Sequence, residues 1–154
     1  MTTMRKGRCT ARCFAAAFTP TETRVSQMRE ITATHMPLWG VPGQLATDIV
    51  LVVSELVTNA IQHGKGDVEL RVRYVGSEVR IEVTDGNPTP AEVRIPDADE
   101  ESGRGLLLVA ALSRKWGVSD GGTTTWCTFR VPQASRVPGT TTRPNHTTAD
   151  AGRR

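Results

Sequence analysis

Two alternating runs constrain this chain more than any other feature. Val68, Leu70, Val72 and Tyr74 alternate with Glu69, Arg71 and Arg73; after Gly76 and Ser77, Val79, Ile81 and Val83 alternate with Arg80, Glu82 and Thr84. A period of two on both sides of a small-residue turn predicts an antiparallel hairpin with one apolar face, and that face needs a cover. The cover lies just upstream. Residues 44–63 place Leu45, Ile49, Val52, Val53, Leu56 and Ala60 in one helical stripe, and Gly64 closes the segment. Residues 25–39 read as a second, moderately amphipathic helix ending near Pro37, with Gly40, Pro42 and Gly43 forming the connection. Downstream, residues 87–103 are polar, rich in proline and acid, and without period; residues 106–115 then read as a buried helix and 123–131 as a last strand. Residues 13–18 fit an edge strand before the break at Pro20. The expected fold is α+β: a two-layer sandwich with helices covering one face of an antiparallel or mixed sheet.

At 154 residues the chain has room for one core. We expect a loose terminus over 1–12, one folded domain over 13–132, and a disordered tail over 133–154, where large apolar residues are almost absent. The net charge of +3 belongs to the ends: residues 1–13 carry +4 and residues 133–154 carry +3, leaving −4 on the body between them. A mildly acidic body disfavours a surface for nucleic-acid phosphates, so no specific nucleic-acid partner is expected. No apolar run reaches the ~18 residues of a membrane span, and the N-terminus lacks the apolar stretch of a secretory signal. A cytoplasmic protein without a membrane partner is the expectation. Cys9, Cys13 and Cys127 read as free thiols, since no second Cys/His pair completes a zinc site.

Three places set local pattern against chemistry. Glu55 and Asn59 stand one turn apart at the margin of the long helix's apolar stripe, with Asp48 on the same margin. A solvated helix edge and a functional pair both fit that spacing. Asp85 falls on the apolar face of the second hairpin strand, just before Gly86, Asn87 and Pro88. An inward carboxylate needs a donor, whereas an aspartate starting a turn needs only its own backbone. Third, Gly103, Arg104 and Gly105 immediately precede Leu106. Glycines at a helix start let backbone N–H groups approach an anion, and they also serve as a plain flexible joint. No Walker-type lysine follows.

Read together, these segments resemble the Bergerat-fold (GHKL) ATPases, and among them the single-domain anti-sigma factor serine/threonine kinases common in actinobacteria. VVSELVTNAIQHG (52–64) is similar to the family's N box, VTDGNP (83–88) to its first glycine box, GRGLLLVAALSRKWGV (103–118) to its second, and GGTTTWCTFRVP (121–132) to its closing strand. The resemblance implies ATP and Mg²⁺ as cofactors. It implies Glu55 as the general base toward a protein serine or threonine, and Asn59 as the magnesium ligand. Asp85 would accept the adenine amino group, with Gly86 leaving room for the base. Gly103, Arg104 and Gly105 would meet the phosphates, Leu106 would start the covering helix, and His63 would complete the N box. Strand parity adds Thr123 and Thr125 at the adenine end, with Thr124 facing away. Residues 87–102 would form the lid. This chain departs from many relatives in carrying Asn87 in place of a second glycine, and Thr123 in place of a lysine.

The implied partners are a sigma factor and an anti-sigma-factor antagonist of the STAS type, with a homodimer possible through the edge strand at 13–18. The competing expectation is a nucleotide-gated interaction module without turnover. The ATPase half of a histidine kinase fits less well, since no dimerisation helices or phosphoacceptor histidine precede the domain. The basic ends allow only salt-sensitive, non-specific contact with nucleic acid.

Overall fold

The computed structural model describes residues 12–89 and 104–133, with the side chain of Arg104 excepted. The segments expected to be loose at both ends lie almost wholly outside these residues, as does most of the expected lid. Strand β1 (Arg12–Phe18) leads to helix α1 (Thr23–Leu38) and helix α2 (Gly43–His63). The hairpin follows as β2 (Val68–Val75) and β3 (Glu78–Thr84), then α3 (Arg104–Leu112), β4 (Lys115–Ser119), a short 3-10 turn at Asp120–Gly122 and β5 (Thr124–Arg130).

The five strands form one sheet in the order β1-β2-β3-β5-β4, with every neighbouring pair antiparallel. The hairpin register pairs Leu70 with Val83 and Val72 with Ile81, while β5 places Cys127 beside Ile81 and Phe129 beside Val79. All of these are buried, and they form the inner face that the helices cover. Gly76 holds a φ of 62° in the two-residue hairpin loop, a conformation a side chain would strain.

Helix α2 is the spine of the cover. Ile49, Val52, Val53, Leu56, Val57 and Ala60 are buried, each large side chain contributing about 1.5–3 kcal/mol relative to exposure. Its 21 residues have a mean hydropathy of 1.4 over the most apolar window, enough by length and composition to cross a membrane. In this fold packing against the sheet and its neighbouring helices accounts for that apolarity. On α1, Met28, Thr32 and Met36 recur every four residues and are buried, and the Thr32 hydroxyl donates to the Met28 carbonyl at 2.7 Å. Cys127 is a buried thiol whose pKa burial pushes up to about 12, with Arg80 pulling weakly the other way.

Two expectations are corrected. The third helix runs 104–112 and not 106–115: Ser113 donates to the Val109 carbonyl through both its N–H and its hydroxyl, and the Arg114 N–H goes to the Thr128 carbonyl at 2.7 Å. The sheet then gains β4, a strand absent from the sequence reading. Gly117 masks its alternation, because a Cβ there would lie 2.8 Å from the Trp126 ring on β5. An aromatic side chain occupies the space that a strand residue normally fills for itself.

Candidate functional site

The margin of α2 carries Glu55 and Asn59, both half-buried between the apolar stripe and solvent. Among the described residues neither side chain has an ion pair or a hydrogen bond to the protein. Polar groups beside a core are normally satisfied internally, so two open ones a turn apart are chemically available. The first turn of α3 lies directly against Glu55. A Cβ on Gly105 would fall 2.7 Å from Glu55 Oε2 and 3.5 Å from Glu55 Cβ. The absence of a side chain at Gly105 lets the α3 N-terminus approach the carboxylate.

Gly64 follows directly on the last residue of α2. A Cβ there would lie 2.2 Å from the Ala60 carbonyl oxygen and 2.8 Å from Asp85 Cγ, so the end of α2 rests against the Asp85 side chain. The Asp85 N–H donates to the Thr123 carbonyl at 2.9 Å, which keeps the end of β3 attached beside β5. Its Oδ1 accepts the Asn87 N–H at 2.7 Å. Partial burial raises the Asp85 pKa, and the Asn87 N–H works against that rise. From Glu55 to His63 the helix advances eight residues, about 12 Å. This is comparable with the span between the base and the terminal phosphate of a nucleoside triphosphate.

The remaining expected residues divide. His63 ends α2 with an exposed side chain, and its carbonyl accepts Asn87 Nδ2 at 2.6 Å. At Gly86 the structure shows a packing constraint. A Cβ there would meet the Lys65 carbonyl oxygen at 2.5 Å, and its own N–H donates to that oxygen at 2.6 Å. Leu106 lies inside α3 and in the core, where its side chain is buried; the helix starts two residues earlier, at Arg104. Gly103 lies outside the described residues.

Thr125 sits opposite Val83, on the inner face. Thr123 does not. β5 begins at Thr124, and Thr123 closes the 3-10 turn, donating its hydroxyl to the Asp120 carbonyl at 2.9 Å. Strand parity therefore fails at Thr123, because the residue precedes the strand. Thr124 faces the outer side, as expected, and its hydroxyl meets that of Thr84 at 2.8 Å. Thr123 and Thr124 line, with Glu69, Arg71, Glu82 and Asp120, an outer hollow of about 400 Å³. The hollow is on the opposite face of the sheet from Glu55 and Asn59 and shares no residue with their site.

Asn87 and Gly64 are the residues whose place in the site the sequence reading missed. Gly64 was legible only as a helix end, and Asn87 only as a departure from a glycine. The signal for Asn87 was its donor-bearing side chain placed shortly after the strand, within reach of a helix C-terminus whose carbonyls need donors.

The donor set fits a magnesium nucleotide. Among the described residues no cluster of three or more His, Cys, Asp or Glu could hold a metal by itself. A single amide oxygen from Asn59 suits an ion that keeps its waters and takes its other oxygens from phosphates.

A family profile described as a histidine kinase-like ATPase domain matches residues 18–129. The chain belongs to this family. As a histidine kinase-like ATPase domain it binds ATP. The fold of the domain is also found in the crystal structure of the RsbU and RsbW domains of Rv1364c from Mycobacterium tuberculosis. That structure aligns with a TM-score of 0.60 at 20% identity, over 81% of this chain and 34% of that one. The ATPase domain thus spans about a third of the length of the protein it matches. No curated protein matches it.

Proposed function

We propose that this histidine kinase-like ATPase domain is a cytoplasmic protein serine/threonine kinase of the anti-sigma type. In this reading it phosphorylates an anti-sigma-factor antagonist and sequesters a sigma factor once the antagonist has been released. The observation that carries the reading is the Glu55 carboxylate, without a partner among the described residues and held against the first turn of α3, with Asn59 one helical turn away. The sequence resemblance to anti-sigma factor kinases supports it, as does the fold shared with a protein containing an RsbW domain. The mildly acidic body makes protein, and not nucleic acid, the partner class.

Each residue then has a task. Asp85 accepts the adenine amino group through the oxygen that Asn87 leaves open, with Thr125 beside it on the inner face. The N-terminus of α3, with Gly103, Arg104 and Gly105, offers backbone N–H groups and the positive end of its dipole to the phosphates. Asn59 Oδ1 would hold Mg²⁺, which when bound would neutralise phosphate charge. Glu55 takes the proton from the substrate serine or threonine as its oxygen bonds to the γ-phosphorus and the bond to the β-phosphate oxygen breaks, releasing ADP.

Labelled ATP, Mg²⁺ and candidate antagonists test this directly. Glu55→Ala should lower phosphotransfer by about 10²–10⁴-fold, the range of a lost general base, while calorimetry shows ATP affinity close to wild type. Equal signal from wild type and variant sinks the assignment of Glu55. Tight Mg–ATP binding with no transfer to any antagonist replaces the kinase with a nucleotide-gated interaction module.

A further inference from the structure

We propose that Asn87 is a positioning residue for base recognition, clamping the segment after β3 onto the last turn of α2 so that one oxygen of Asp85 stays open toward the purine. The inference rests on the nucleotide-binding reading above.

The last carbonyls of a helix have no N–H of their own helix to accept. At the end of α2 one of them, His63 O, accepts Asn87 Nδ2 at 2.6 Å. The same side chain accepts the Thr89 N–H on Oδ1 at 3.0 Å, and the Asn87 backbone N–H donates to Asp85 Oδ1 at 2.7 Å. Three polar groups of one residue therefore tie together α2, the turn after β3 and the Asp85 carboxylate. A second stitch lies alongside, from the Gly86 N–H to the Lys65 carbonyl at 2.6 Å. Asp85 is also backed by the bare Gly64, whose missing Cβ would lie 2.9 Å from Asp85 Cβ.

The chemical consequence is directional. With Oδ1 engaged by the Asn87 N–H, Oδ2 has no hydrogen-bond partner among the described residues and remains a pure acceptor. An acceptor held in one place rewards a purine bearing an amino group at C6 and penalises one bearing a carbonyl there, because two acceptors then face each other. A carboxylate on a loose turn rotates or withdraws and discriminates less. The asparagine amide is specifically required: an aspartate keeps the Thr89 contact but cannot donate to His63 O, and a glycine makes neither bond.

Full-length wild type, Asn87→Ala and Asn87→Asp are titrated with Mg–ATP and Mg–GTP by calorimetry, and amide hydrogen exchange is followed without nucleotide. Both variants should weaken ATP binding about tenfold and lower the ATP-over-GTP preference about fivefold, the scale of one mispaired polar contact. The Gly86 amide should exchange faster in both. Asn87→Asp is nearly isosteric and leaves the core untouched, so it separates the lost donor from misfolding. An unchanged Gly86 amide overturns the clamp. A faster Gly86 amide with ATP affinity and purine preference unchanged overturns the positioning role alone and leaves ATP binding standing. Wild type that binds neither nucleotide overturns the functional reading and this role with it.

Discussion

Asp85 shows most sharply how a partly buried carboxyl costs stability. Burial raises its pKa above 3.8, and one backbone N–H offsets this only in part. A carboxyl whose native pKa is raised holds its proton more tightly folded than unfolded. Its effect on stability is therefore most favourable below about 3.8 and worsens as pH rises through the native pKa. Asp85→Asn removes that dependence. Relative to wild type it should be more stable at pH 7 than at pH 4 by urea unfolding, while losing ATP affinity at pH 7. Glu55 and Asn59 are likewise polar groups at a core margin, and among the described residues their side chains have no protein partner. The sequence showed these three as conflicts between pattern and chemistry, and it is at functional sites that such conflicts are expected. Gly86 was visible too, but its packing constraint was not. The nearness of Lys65 O depends on how the α2–β2 connection crosses the turn, which no local pattern encodes.

Among the elements, α2 carries Glu55 and Asn59 and ends beside Asp85. Its stripe was readable from residues 44–63 because burial on one side imposes a 3.6-residue period over more than five turns. Its C-terminal end is a constraint of another kind. Gly64 has an ordinary backbone conformation, with φ −76°, so its requirement comes from crowding and not from backbone strain. Gly64→Ala would drive a Cβ against the Ala60 carbonyl and the Asp85 side chain. We expect a loss of about 1–3 kcal/mol in chemical unfolding, the cost of overpacking, together with weaker ATP binding as Asp85 is displaced. β4 illustrates the opposite case. Five residues with a glycine in the middle show no usable alternation, and the strand exists because Thr128 and its neighbours on β5 offer an edge to pair with. Here a tertiary partner overrides weak local preference.

For the molecule as a whole, ligand binding and folding should be linked. A ligand that binds only the folded chain adds about 2.7 kcal/mol of stability at a hundredfold excess over its Kd. Mg–ATP at that excess should raise the unfolding midpoint of wild type measurably, and Asp85→Asn should show little shift at the same concentration. A shift of equal size in both would remove Asp85 from the site. The outer face of the sheet adds little of its own to stability. Its Arg73–Glu82–Arg80 ladder and the Arg80 guanidinium, 4.4 Å from the centre of the Trp126 ring, are at least partly exposed, and exposed pairs of this kind are worth ~1 kcal/mol or less. Stability resides in the inner layer, where β2, β3 and β5 meet α2.

The sequence alone determined the α+β class, the hairpin, the covering helix and the residues whose chemistry had no local explanation, because periodic burial and misplaced polarity are both written in linear spacing. Only the tertiary structure decided that β4 joins the sheet, that Thr123 leaves the inner face, and that Gly64 and Asn87 pack around Asp85. Each of these depends on which backbone or side chain approaches from a distant part of the chain. A contact made across space between separately folded elements has no period for a sequence to display.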